Sequence, residues 1–426
     1  MKVILNEKQL NRLFLSEAPN VAFNRSKTNG DNMKAIWAEI ERKQKILQAN
    51  VFGDLSEKLY DITMEKAKVM GNEHLRIPDT ICNAGNSKLP ENVLIINMSS
   101  SLMCPSYYLG ICTIKDGACY AQKGENQHTN NVLPNRWQTD LMHTQMLQQY
   151  KKGNKTPMKE YFRIIEMYIQ LANAYSTNLY KKELERMTEK YRRQYGRDLT
   201  KEEKELLKVQ QDNCKITDVR LNETGDFQCQ LAVNLWANFA KKIKKKYGIS
   251  THAYTARNLD FSEASKYMAI NPSHKGINLG NSLERMFKAI DDKTYKSLEW
   301  CKVGYDRQPE LKTDKRGILY YKCPCGDNET YCDRCGVCFE PNKTGKPYTI
   351  YVKYHGLTAA NGLKALFKKE EISNVIEKLY TNGWITDEEY QSYNSEANQK
   401  KLDKMSKNIT ALRKADVKNK AKTKKK

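Results

Sequence analysis

The chain has 426 residues, of which 39% are hydrophobic, and it carries a formal net charge of +22. It has no run of eighteen apolar residues, so a membrane-spanning helix is not expected, and its first residues, MKVILNEKQL, lack the long apolar stretch of a secretory signal. We therefore expect a protein of the reducing cytoplasm, built from two or three folding units.

Residues 1–90 are predicted to form a helical N-terminal region. Between Asn32 and Gln48, apolar residues recur along one helical stripe, namely Met33, Ile36, Trp37, Ile40, Ile46 and Leu47. Glycines at positions 53 and 71 interrupt the pattern. We expect this region to pack into the hydrophobic core.

Residues 91–356 are predicted to form an α/β core. Short apolar or β-branched runs predict strands at Val93–Met98, Ile216–Leu221, Ser250–Thr255, Met268–Asn271 and Tyr348–Tyr354, with a weaker candidate at Ile277–Leu279. Helices are expected between them, one carrying Leu231, Leu235, Trp236 and Phe239 and another around Ser262–Tyr267. This alternation is typical of parallel sheets with right-handed connections. The predicted fold class is α/β, with a partial or closed parallel β/α barrel-like core.

Helical segments are expected around this core. A charged helical insertion is predicted over residues 157–209, with Thr200 as the N-cap of its last helix. Residues 357–412 are predicted to form a helical C-terminal region, in which Thr386 and Glu389 match a capping box. Residues 413–426 are too rich in lysine to bury apolar surface and are expected to be a disordered basic tail.

Eight of the twelve cysteines fall into two groups. The first group is Cys104, Cys112 and Cys119, and the second is Cys323, Cys325, Cys332, Cys335 and Cys338. Two residues separate each neighbouring pair among the last three cysteines, a spacing that lets thiolates converge on one metal. Disulfides are the alternative, but the reducing compartment favours metal. The predicted ligands are Cys104, Cys112, Cys119, Cys325, Cys332, Cys335 and Cys338, with Cys323 as a spare thiol or a replacement for Cys325.

Polar residues at the predicted strand ends are candidates for a site, because the carboxyl ends of parallel strands carry the chemistry of such folds. Glu223 and Asp226 are the catalytic candidates, with the alternative that Asp226 only caps a helix beginning near Phe227. Candidates for contacting a cofactor are Tyr120, Asn222 and Tyr254. Weaker candidates, chosen by position, are His252, His355, Arg257 and Asn281.

Positive charge is concentrated near the C-terminus. Residues 400–426 contain eleven Lys and one Arg against two Asp, a net charge of +10. Such a tail attracts nucleic-acid phosphates without sequence preference, or it only keeps the chain in solution. A second basic patch, Lys242, Lys245 and Lys246, ends a predicted helix and is the other candidate contact for nucleic acid.

The order of these motifs resembles the phage gene product 88 family over about residues 91–356. The resemblance rests on Cys104-Pro105, Cys112, Cys119-Tyr120-Ala121, Val219–Leu221, Gly225–Phe227, Ala253–Thr255, the three last cysteines and His355-Gly356. It implies an origin in a phage or prophage. The expected location is then the cytoplasm of a bacterial host, or the virion.

More distantly, the layout is similar to that of radical S-adenosylmethionine enzymes. Those enzymes hold a four-iron cluster on three cysteines after the first barrel strand, and three thiolates leave one metal position open. The resemblance implies a 4Fe-4S cluster on the first group, S-adenosylmethionine as cofactor and an auxiliary cluster on the second group. Seven and six residues separate the cysteines of the first group here, whereas those enzymes have three and two.

Two hypotheses about function follow. The first is a phage-encoded metalloprotein with an iron–sulfur, radical-enzyme-like core that acts on an unknown substrate. The second is a zinc-stabilised protein without catalysis that binds nucleic acid or belongs to the virion, since four thiolates also bind zinc. The open position of the first cysteine group favours the first hypothesis, and the irregular spacing and basic tail favour the second.

Overall fold

The structure is a computed structural model. It describes residues 36–38, 40, 81–86, 89–97, 104–109, 111, 132–212, 215–324, 332–353, 373, 376–377, 379–381, 383–400 and 403. Among the helices of these segments, none combines the length and the apolar character needed to cross a bilayer. The predicted basic tail lies outside the described residues.

Within the described residues, nine strands form two sheets with mostly parallel pairing. In chain order they are β1 Asn83–Ala84, β2 Val93–Ile96, β3 Asp218–Leu221, β4 Ser250–Thr255, β5 Ala269–Pro272, β6 Arg285–Ile290, β7 Lys312–Thr313, β8 Leu319–Lys322 and β9 Tyr348–Lys353. The first sheet has the order β1-β2-β3-β4-β5, and the second has the order β6-β9-β8-β7. Strands β2 to β5 are parallel to one another, and β6, β9 and β8 are parallel in the second sheet.

Eight helices belong to the described part of the chain. They are α1 Pro105–Tyr108, α2 Val132–Lys151, α3 Thr156–Tyr195, α4 Lys201–Asp212, α5 Gln230–Tyr247, α6 Asp292–Lys296, α7 Cys332–Cys335 and α8 Asp387–Asn394. Helix α3 ends at Gly196, whose left-handed φ of 62° lets its N–H return to the carbonyl of Arg192. The predicted cap at Thr200 is present, because its hydroxyl accepts from the N–H of Glu203.

The two faces of the first sheet have different environments. Leu94, Ile96, Val219, Leu221 and Ala253 point into the main hydrophobic core, which they share with buried residues of α2, α3 and α5. On the opposite face, Val93 and Ile95 pack with Phe339 and the edges of Cys332 and Cys338. The cysteine-rich segment therefore covers the face that the helices leave open.

Most of the strand predictions are confirmed. Strands β2, β3, β4 and β9 lie within the predicted runs, and β5 begins one residue after its predicted start and ends one residue later, at Pro272. The predicted helix at 262–267 is wrong, because only a single 3-10 turn, Ala264–Lys266, forms there. The weaker strand candidate at 277–279 contributes one isolated bridge, between Asp260 and Asn278.

The fold is mixed α/β with parallel-strand sheets and helices. Backbone pairing in the described residues orders each sheet linearly and does not close either one into a barrel. The two sheets meet between β5 and β6, where the Arg285 guanidinium donates to the side-chain oxygen of Asn271 at 2.9 Å.

Candidate functional site

A buried polar surface lies on the face of the first sheet that the cysteine-rich segment covers. Register places Arg220 of β3 beside His252 of β4, and Tyr254 of β4 beside Asn271 of β5. His252 and Asn271 are fully buried. With Arg285 of β6, these five residues form what we name the polar face. Five polar side chains are costly to bury without hydrogen-bond partners. The groups that hydrogen-bond to them therefore show which part of the chain forms a site with this face.

Backbone carbonyls of the cysteine-rich segment satisfy part of this face. The Asn271 amide donates to the carbonyl of Cys338 at 3.1 Å, and also to that of Ala253 at 3.1 Å. Arg285 donates to the carbonyls of Val337 and Cys338. These contacts fix the backbone of the turn against strands β5 and β6.

The backbone of the turn is a short helix followed by a left-handed glycine. Helix α7 spans Cys332–Cys335 and ends at Gly336, whose φ of 61° is in the left-handed region that favours glycine. The N–H of Val337 hydrogen-bonds the Cys335 thiol, and the Tyr321 hydroxyl lies 2.9 Å from the same sulfur. Donors of this kind stabilise a thiolate, and they orient ligand sulfurs in metal sites.

Burial acts against free thiolates at this position. It raises the pKa of Cys335, and it raises the pKa of Cys338 to about 12, although the nearby Arg285 charge acts in the opposite direction at both thiols. Burial also raises the pKa of Tyr254, whose hydroxyl interacts with the Cys338 thiol. Without a metal, these cysteines are therefore neutral thiols at pH 7.

His252 lies in the middle of the polar face. Its ring stacks on Phe339, with centroids 4.3 Å apart and planes 17° apart. Neither ring nitrogen has a hydrogen-bond partner among the described residues. Burial lowers the pKa of His252 far below its usual value, and the charges of three arginines (Arg220, Arg285 and Arg307) add to the effect, so the imidazole is neutral.

A complete set of metal ligands is not assembled within the described residues. No three His, Cys, Asp or Glu side chains among them are arranged so that they could hold a metal ion. Several predicted site residues, namely Cys112, Cys119, Tyr120, Cys325 and His355, lie outside the described part of the chain. Three cysteines of the second group are near one another: Cys335 is buried in a hydrophobic cluster, and Cys323 and Cys338 pack against that cluster.

Cys104 lies at a different place, beyond the carboxyl end of β2. It is buried in a cluster with Leu109 and with Ile376, Ile385 and Tyr393 of the C-terminal region. Two residues further on, the Ser106 hydroxyl donates to a carboxylate oxygen of Asp226 at 2.7 Å. The turn that carries Cys104 is thus attached to the end of β3 on one side and covered by the C-terminal region on the other.

Asp226 is buried and is surrounded by donors. Besides Ser106, its carboxylate accepts from the Thr255 hydroxyl at 2.7 Å and from the N–H groups of Ala256 and Phe227 at 2.7 and 2.8 Å. Burial raises its pKa, while these donors oppose the rise. The expectation that Asp226 caps the next helix is wrong, because α5 begins at Gln230 with Cys229 in the N-cap position. The carboxylate instead joins the ends of β3 and β4 to α1.

Arg257, which follows β4, forms a buried ion pair that the sequence did not reveal. Its guanidinium is fully buried and donates to both carboxylate oxygens of Glu389 at 2.7 Å. It also donates to the carbonyls of Gln228 and Trp384 at 2.9 and 3.0 Å. This pair attaches α8 and the segment before it to the carboxyl end of the first sheet.

Asn222 and Glu223 also lie at this edge. Asn222 is buried, and its backbone adopts a φ of 56°, a conformation that asparagine tolerates better than most residues. Glu223 forms an ion pair with Arg136 at 3.4 Å and accepts from the Asn86 amide. Asn281, a weaker candidate, is exposed.

The lysine patch at the end of α5 is partly neutralised. All three lysines are exposed, and Lys242 and Lys246 both form ion pairs with Glu166 of α3. Burial alone would raise the pKa of Glu166, but hydrogen bonds from both lysines and from Tyr247 lower it below its usual range. Part of the charge predicted to contact nucleic acid therefore holds α5 against α3.

Sequence reasoning missed Asn271 and Arg285 as site residues, and it assigned Glu389 only to the capping box with Thr386, which the structure confirms. A signal existed for Asn271, since a polar residue inside a short buried strand requires a partner. Comparisons of this chain with protein-family models, with curated proteins and with solved structures give no match.

Proposed function

We propose that this chain is a metalloprotein whose cysteine-rich turn binds a thiolate-ligated metal on the polar face of the parallel sheet. The observation that carries the proposal is the attachment of the turn at Gly336 to this face through the carbonyls of Val337 and Cys338. Beside the apolar contacts of Val93 and Ile95, the chain places the buried polar side chains of Asn271 and Arg285 under the turn, which a purely packing role would not require.

The donor chemistry fits thiolate coordination. Cys332, Cys335 and Cys338 come from one short turn with the Cys-x-x-Cys spacing, and Cys323 or Cys325 would supply the fourth sulfur. A bound metal ion removes the protons that burial otherwise keeps on these thiols, because thiolate binding and deprotonation are coupled. Both zinc and iron–sulfur clusters use this ligand set.

For the first cysteine group, we propose an open iron–sulfur site of the radical-enzyme type at the carboxyl edge of a partial barrel. Cys104 follows β2, and Asp226 and Asn222 follow β3 at the same edge, where parallel sheets bind substrates and cofactors. S-adenosylmethionine is the cofactor that such a site would bind. Asp226 would orient the cysteine turn through Ser106, and Glu223 with Arg136 would line the edge.

The test is metal analysis of variants after anaerobic purification. Cys335→Ser removes one ligand of the second group, so the metal bound per chain and the melting temperature should both fall. Cys301→Ser is the matched control, because Cys301 is a partly buried cysteine outside the predicted ligand set that packs at the border of the same hydrophobic cluster and hydrogen-bonds the carbonyl of Tyr320. Equal metal content in wild type, Cys335→Ser and Cys301→Ser would refute metal binding by the turn.

Charge favours nucleic-acid binding as a second candidate function. The net charge of +10 over residues 400–426 should attract polyanions through counterion release, with little dependence on sequence. Deleting the residues after Ala411 should weaken binding to DNA or RNA and reduce its salt dependence, without changing the metal content. Equal affinity and equal salt dependence in the full-length and shortened chains would exclude the tail as the contact.

A further inference from the structure

Arg285 is a buried cation with only neutral partners in the described structure. Its side chain is 2% exposed. It donates to the Asn271 side chain at 2.9 Å, to the carbonyl of Val337 and to the carbonyl of Cys338 at 3.3 Å. Arg257, the other fully buried arginine, pairs with both oxygens of Glu389. Arg285 forms no such ion pair with any described Asp or Glu.

A buried guanidinium without a counter-charge is costly, since the effective penalty for burying an ion is several kcal/mol. More positive charge lies nearby. Arg220 is on the same face, with its guanidinium 5.0 Å from the centre of the Tyr254 ring. Arg307 also lies near this face, with carboxylates of Asp218 and Glu340 at 3.9 Å. Three arginine charges therefore act on His252, and the burial of Arg285 beside the other two adds to its cost.

The cysteine turn is a partner of Arg285 that would become negative if its thiols bound a metal. Arg285 donates to two carbonyls of the Cys335–Cys338 segment, those of Val337 and Cys338. Thiolates bound to a metal keep a net negative charge, because three or four of them outweigh the charge of about +2 on a zinc ion. Residues that hydrogen-bond to the ligands of a metal site orient those ligands and change the affinity for the metal.

We propose that Arg285 is the positioning and charge-compensating residue of an anionic metal–thiolate centre in the cysteine turn. The inference rests on the proposed metal function and adds a specific electrostatic role to it. Arg285 holds the backbone of the turn through its donors, and its charge offsets the thiolates when the metal is bound. In the metal-free chain, the same charge is destabilising.

The test compares zinc binding and metal-free stability in wild type, Arg285→Gln, Arg285→Lys and the control Arg316→Gln, which changes an exposed arginine paired with Asp314. Zn²⁺ affinity is measured anaerobically by competition with a chelator, and melting is followed after metal removal. Arg285→Gln should weaken zinc binding by about 10- to 100-fold. Arg285→Lys should recover a large part of that loss, since it keeps the charge. The metal-free Arg285→Gln chain should melt at or above the wild-type temperature, and Arg316→Gln should bind zinc as wild type does.

The outcomes separate the two proposals. Stoichiometric zinc binding by wild type with equal affinity in Arg285→Gln overturns the role of Arg285 and leaves the metal function intact. A metal-free Arg285→Gln chain that melts lower than wild type, or does not fold, also overturns it, because the charge would then stabilise the empty site. A wild-type chain that binds no metal overturns both proposals.

Discussion

The buried ion pair between Arg257 and Glu389 attaches α8 to the first sheet, and we expect it to contribute a large part of the free energy of unfolding. Glu389→Gln removes the negative charge but preserves the size of the side chain, and it leaves the Arg257 guanidinium fully buried without its counter-ion. Breaking a buried ion pair by removing one partner costs about 3–5 kcal/mol. Because glutamine retains one acceptor oxygen, we expect a loss near the lower limit, about 3 kcal/mol, which is roughly a hundredfold change in an equilibrium constant.

Urea unfolding followed by tryptophan fluorescence measures this loss. Trp384 is a suitable reporter, because it is buried and its carbonyl accepts from Arg257 at 3.0 Å. Glu388→Gln is the matched control, since Glu388 is exposed one position away and its change should be within about 0.5 kcal/mol of zero. Glu389→Gln and Glu388→Gln proteins that unfold at the same urea concentration would refute the reasoning.

Three further predictions concern single residues. Asp226→Asn should cost about 1–3 kcal/mol, because the new amide group cannot accept from all four donors, and it should speed alkylation of Cys104. Glu166→Gln should cost about 1 kcal/mol at pH 7, since its partners are half-exposed. The folded state lowers the pKa of Glu166, so this cost should be constant at neutral pH and disappear as the pH falls through that pKa. Gly336→Ala should cost about 1 kcal/mol or more, because a Cβ there meets Arg307 in a backbone conformation with positive φ.

Peptide mapping, urea unfolding at several pH values and thermal melting measure these three effects. An unchanged alkylation rate at Cys104 would contradict the positioning role of Asp226. A stability difference for Glu166→Gln that persists at pH 2 would contradict the assigned ion pairs. A Gly336→Ala protein with wild-type melting and metal content would show that the turn does not require the left-handed conformation.

The parallel sheet could be predicted because its strands carry their own signal. Val93–Ile96 and Tyr348–Lys353 are apolar, β-branched or aromatic runs, and such runs favour buried strands wherever their partners lie. Strand β6 was missed because its sequence, which begins with an arginine and has several exposed positions, shows no clear alternation of apolar and polar residues. Its pairing with β9 is seen only in the folded chain. The predicted helix at 262–267 also failed because local sequence does not decide the structure there. Tertiary contacts outweigh helix propensity and leave only the 3-10 turn Ala264–Lys266.

The candidate site could be predicted only where its residues are close in sequence. The spacing of Cys332, Cys335 and Cys338 is local, and the turn could be predicted from it. The partners of the polar face are not local, since Asn271 and Cys338 are 67 residues apart. The buried pair of Arg257 and Glu389 at the carboxyl edge of the sheet is further apart still, at 132 residues. Only the folded chain brings such pairs together, so one sequence could not identify them.

Metal and sulfide analysis of the full-length chain, purified without oxygen, tests the central claim most directly. Thiolate binding by the turn around Cys335 predicts either zinc at about one ion per chain or iron with sulfide and visible absorption. In both cases Cys335→Ser should lose that metal, and Cys301→Ser should keep it. A colourless wild-type protein with neither stoichiometric zinc nor iron would contradict the claim.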